Sequence, residues 1–99
     1  MNLTELEALA KLATPGQWDT NPDGVLGYEL EVTANNHYVG ICEAAPYDAL
    51  YIAAANPDTI IKMIELIREM EEALRMSNNL SNPYHQEVDA VLVKYEGLL

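Results

Sequence analysis

The stretch from Pro57 to Ser77 constrains the fold more than any other part of the sequence. Ile60, Met63, Ile67, Met70 and Leu74 recur at 3-4-3-4 spacing, the pattern of a helical seam. Ile61 and Ile64 widen the stripe at its N-terminal end, so it narrows toward Met70 and Leu74. Glu71 and Arg75 stand four apart, spaced for an ion pair on one helix face. A helix over these 21 residues extends about 31 Å, the width of a small domain. A chain of 99 residues forms one domain and buries only about 60–65% of its unfolded surface. The plain reading packs the whole stripe on the rest of the chain. The expectation adopted here is that the C-terminal turns overhang the core. A homodimer through Met63, Ile67, Met70 and Leu74 then covers them.

The other elements follow from periodicity and stop signals. Residues 1–14 form an amphipathic helix capped by Asn2 or Thr4, with Leu3, Leu6, Ala10 and Ala13 on one stripe and Leu9 and Leu12 widening it. Thr14-Pro15-Gly16 ends it, and Trp18 is expected to pack back onto this helix and against the Ala53–Ala55 region. Residues 17–43 form a small antiparallel sheet. Val25 to Thr33 alternates, with Leu26, Tyr28, Leu30 and Val32 on one face and Glu29 and Glu31 on the other. Ala34-Asn35-Asn36 turns the chain, because Asn tolerates positive φ. His37 to Glu43 returns, with Val39 and Ile41 on one face, and residues 17–20 can add an edge strand. Residues 46–77 are helical, broken at Asn56-Pro57, where Asn56 caps and Pro57 starts the next helix. After a polar linker, a last helix lies within 83–99, with Val88, Val91, Leu92, Tyr95 and Leu99 at helical spacing. The expected class is therefore α+β in a single domain, 1–99. It comprises an N-terminal helix, a two- to three-stranded antiparallel sheet, and a helical C-terminal half with one long amphipathic helix.

Charge is the second strong signal. Five Lys and Arg stand against 16 Asp and Glu, giving a net charge of −11. Lys11 is followed by no Lys or Arg until Lys62. The 50 positions between hold Asp19, Asp23, Glu29, Glu31, Glu43, Asp48 and Asp58. Such a balance argues against direct nucleic-acid binding and against an anionic membrane surface, both of which need basic side chains. The plain reading of the acids is a solubility surface. The sharper one is a surface for a basic partner, formed by Asp19, Asp23, Glu29, Glu31 and Glu43.

No pattern of catalysis is present. His37 and Cys42, five apart on one strand, point to opposite faces and cannot form a nucleophile–base pair. One cysteine excludes an intrachain disulfide, and with two histidines it is too little for a closed zinc site. There is no phosphate loop and no EF-hand spacing. No catalytic residue, metal ligand or cofactor is expected. Neither a transmembrane span nor a signal peptide is predicted, which points to the cytoplasm.

Two stretches resemble the Ead-like family of accessory proteins of phages and prophages. One is Leu9-Ala10-Lys11-Leu12-Ala13-Thr14-Pro15-Gly16-Gln17-Trp18, similar to the family's helix ending in Ala-Thr-Pro-Gly-x-Trp. The other runs from Asp48 through Ala53-Ala54-Ala55-Asn56-Pro57 to Ile60, with Tyr51 where Phe is usual and Asp48 where Asn is usual. The residues from Ser77 onward have no assigned counterpart. The resemblance implies a phage setting, hence a host cytoplasm, and carries over no catalytic residue. The expected function is that of a small acidic interaction protein. It would inhibit a host defence complex, in the manner of an anti-CRISPR, or a nucleic-acid-handling complex, by binding a basic surface as a polyanion mimic. One alternative is an oligomer that sequesters a nucleotide signal, with Arg68, Arg75 and Lys94 lining an intersubunit pocket. The other is a structural accessory protein with no inhibitory role.

Overall fold

Asn2 starts the first helix. Its Oδ1 accepts the Glu5 N–H at 2.9 Å and satisfies a donor that a helix end leaves open. Helix α1 spans Leu3–Leu12, and Gly16, at φ 97°, then turns the chain in the left-handed region. In this computed structural model, which describes residues 1–22, 29–36, 38–79 and 83–99, three strands follow. They are β1 (Trp18–Asn21), β2 (Leu30–Ala34) and β3 (Val39–Ala44), antiparallel in the order β1-β2-β3. The optional edge strand is thus present. Asn35 and Asn36, at φ 53° and 56°, make the turn between β2 and β3. Helices α2 (Pro46–Ala54), α3 (Pro57–Asn79) and α4 (His85–Lys94) complete an α+β fold. The expected strand residues Leu26 and Tyr28, and His37, lie outside the described residues. No helix of the described chain is long and apolar enough to cross a membrane.

Helix α2 lies across all three strands. Val32, Ala49 and Ala53 form the centre of this packing, with Trp18, Leu30, Ile41, Cys42, Ala44 and Ile52 around them. Alanines on α2 let the helix approach the sheet closely, which suits the small-residue run read from the sequence. The simple alternation expected for β3 is broken. The register shifts between Val32 and Thr33, pairing Val32 with Cys42 and Thr33 with Gly40. Ile41 is the extra residue of a β-bulge, so both Ile41 and Cys42 reach the core side.

The helical half is built on α3, about 35 Å long. Helix α1 packs on α3, burying Leu3, Ala10 and Ile64. Arg68 Nη1 donates to Glu7 Oε2 at 2.7 Å, and Arg68 Nη2 lies 3.4 Å from Thr4 Oγ1. Helix α4 packs on α3 further along, burying Val88 and Leu92, and Asn78 Nδ2 donates to Asp89 Oδ1 at 2.7 Å. The Leu3 N–H donates to Leu98 O at 2.7 Å, which joins the start of α1 to the segment after α4. Two expectations change. Trp18 meets half of its expectation: it packs beside Ala53 on the α2–sheet core, and only its indole N–H reaches back toward α1, donating to Thr14 O at 3.0 Å. Leu9 and Leu12, expected to widen the buried stripe of α1, are exposed, because α3 covers one narrow face of that helix.

The result is elongated. The chain measures 58 × 22 × 18 Å with a radius of gyration of 18.4 Å. A compact chain of this length has a radius near 13 Å.

Candidate interaction surfaces

Opposed residues on paired strands point to the same side of a sheet. Trp18, Ala34 and Val39 are in register, as are Thr20, Val32 and Cys42, and these face α2. The alternate positions face the other way. They include Asp19, opposite Thr33, and the row Asn21, Glu31 and Glu43 across all three strands. The side away from α2 therefore carries Asp19, Glu31 and Glu43, and Glu29 immediately precedes β2. Asp19 and Glu43 are exposed, and Glu29 and Glu31 are half-buried. The face is not uniformly open, since Thr33 is only 1% exposed. Gly40 gives the Glu31 carboxylate room: a Cβ at Gly40 would stand 3.4 Å from Glu31 Oε1. Asp23 lies outside the described residues. The bulge at Ile41 completes this grouping, since unbroken alternation would put Glu43 on the side of Val39 and Ile41. No Lys or Arg lies between residues 12 and 61.

The residues expected to dimerise divide. Ile67 and Leu74 are half-buried, because α4 covers their side of α3. Met63 and Met70 are exposed. Ile67, Met70 and Leu74 form one wall of an apolar groove of about 310 Å³, and Val91, Tyr95 and Leu98 form the other. Leu66, which the seam pattern missed, is as exposed as Met63 and Met70, at 54–56% for the three. Spacing alone gave the signal, since Met63, Leu66, Met70 and Ala73 also repeat at 3-4-3.

A third feature joins the two stretches that carry the family resemblance. Gln17, Trp18 and Asp19 line one side of an open cleft of about 500 Å³, and Leu50, Ala53, Asn56 and Asp58 line the other. Asn56 is buried there. Its Nδ2 donates to Ala53 O at 3.0 Å, and its Oδ1 accepts the Thr59 N–H at 3.1 Å. Both ends of this amide are used in capping, and Trp18 is used in packing. These roles make the stretches structural supports.

The basic side chains are largely engaged within the chain. Arg68 holds Glu7, Arg75 Nη2 holds Glu71 Oε1 at 2.8 Å, and Lys94 lies 5.3 Å from the centre of the Tyr95 ring. Among the described residues no three His, Cys, Asp or Glu side chains converge as they would on a metal ion. Comparison with protein families, curated proteins and solved structures finds no match to this chain.

Proposed function

We propose that this chain is a small acidic interaction protein of the Ead-like phage kind. In this reading it acts in the host cytoplasm, inhibiting a host defence or nucleic-acid-handling complex by occupying a basic surface. One observation carries the reading: Asp19, Glu31 and Glu43 share the sheet face that α2 leaves uncovered. Glu31 and Glu43, directly opposed with Cβ atoms about 5 Å apart, present closely spaced negative charge. A basic groove steers such a surface as it steers phosphate, because long-range attraction depends on charge and not on chemistry. Engagement of Arg68 and Arg75 with Glu7 and Glu71 weighs against the nucleotide-sequestering alternative.

The test is capture from a bacterial lysate by the immobilised chain, with mass spectrometry, followed by binding rates for any captured protein across a salt series. The comparison variant is Glu31→Lys with Glu43→Lys. It keeps a like-charged cross-strand pair, so the sheet bears a similar repulsion while the sign of the surface changes. The reading expects the captured protein to be basic at its binding surface, association to slow as salt rises, and the variant to lose binding. Equal rates for the variant and a flat salt dependence would leave these acids as a solvated surface only.

A further inference from the structure

One arc of α3 carries no acidic group. At about 100° per residue, Met63, Leu66, Met70 and Ala73 fall within an arc of about 80° on α3. Asp58, Glu65, Glu69 and Glu72 lie about 80–140° from the centre of that arc. The apolar groove between α3 and α4 borders the arc through Met70 and continues it to Val91 and Tyr95. Glu71, the one acid at the groove, is held by Arg75. On a chain of net charge −11, this is a continuous apolar surface that runs about 15 Å along α3, from Met63 to Ala73, and is up to two helices wide.

We infer that this surface is covered by a second copy of the chain, with the two α3 helices antiparallel. Two observations on the molecule select that occupant, and a third selects its orientation. The first is area. The chain exposes 7121 Å², whereas a folded monomer of 11.0 kDa exposes about 5,600 Å². The excess exceeds the roughly 800 Å² per partner that a specific interface takes. The second is charge. Two such acidic chains repel wherever their acids meet, and the Met63–Met70 side is where they do not. A two-fold axis sets this patch against itself, apolar on apolar, and needs no complementary charge. The third is the position of the acidic sheet, which lies with α2 rather than with the α3–α4 pair. Antiparallel pairing places the two sheets at opposite ends of the assembly, and parallel pairing would place them side by side. Repulsion between them selects the antiparallel arrangement. This inference does not depend on what the sheet binds.

The experiment is sedimentation of the full chain at 10–100 µM, with a label-distance measurement for orientation. The expected mass is twice 11.0 kDa. Added salt should tighten the pair by screening the residual repulsion. Leu66→Glu with Met70→Glu should give a monomer of unchanged helical content. Both side chains are already more than half exposed, so the fold does not need them. A conservative control, Met70→Leu, should stay dimeric. With Cys42→Ser removing the native thiol, spin labels at Asp58→Cys should stand about 30 Å apart or more in the antiparallel pair. In a parallel pair they would stand within about 20 Å. A wild-type monomer at 100 µM, or a dimer indifferent to the double Glu variant, overturns the inference. So does a monomer that binds neutral phosphatidylcholine vesicles through this face. A short label distance overturns the orientation.

Discussion

Glu31 and Glu43 stand directly opposite one another across β2 and β3, on the side of the sheet that α2 does not cover. Like charges on opposed strand residues destabilise a sheet. Glu31→Gln should therefore raise stability by about 0.5 kcal/mol at low salt. The gain should fade as ionic strength rises and screens the pair. Urea unfolding at two salt concentrations reads both. A loss of stability that ignores salt would place the two carboxylates apart and contradict the register.

Trp18 supplies the largest side chain at the rim of the Val32–Ala49–Ala53 core, and its N–H is bonded to Thr14 O. It is half-buried, so Trp18→Ala should cost about 3 kcal/mol, the low end for a large aromatic. Its emission should be blue-shifted from that of free tryptophan and only partly quenched by iodide. Full quenching would put the ring in solvent.

Gly16→Ala is expected to cost about 1 kcal/mol, because φ 97° is hostile to a Cβ even though the space beside it is adequate. Gly97→Ala has nothing within 4 Å of the new Cβ and should be close to neutral. Thermal unfolding of the two variants side by side separates backbone strain from crowding.

The Glu7–Arg68 pair joins α1 to α3 at 2.7 Å, with its side chains 20% and 40% exposed. A double-mutant cycle with Glu7→Gln and Arg68→Gln should return a coupling of about 1 kcal/mol or less, as for partly solvated pairs. A coupling several times larger would mean that the pair, rather than Leu3, Ala10 and Ile64, holds α1 in place.

Local chemistry in the sequence was enough to locate most elements. Asn2, Asn56 with Pro57, and Asn35-Asn36 mark helix starts and a turn through side-chain and backbone properties that do not depend on the rest of the fold. The acids of the sheet were legible for the same reason, since alternation alone assigns Glu31 to one side. Ile41 was not, although Gly40 beside it is the kind of strand-interior glycine that marks a bulge. Nor was the partner of α1. An amphipathic helix shows that it packs, and the stripe Leu3, Leu6, Ala10, Ala13 fits a helix or a sheet equally well. The elongation arises from that undetermined choice: α1 lies on α3, α2 lies on the sheet, and the two layers extend along the chain.

Asn56 stands at the joint between those layers. One amide grips the last turn of α2 through Ala53 O and the first turn of α3 through the Thr59 N–H. With Pro57 fixing φ just beyond it, the bend between the two helices is locked by side chain and backbone together. The acidic sheet is thus mounted on a stiff bracket rather than on a tether. Turning the sheet against the 35 Å arm of α3 therefore requires breaking one of the two hydrogen bonds of the Asn56 amide.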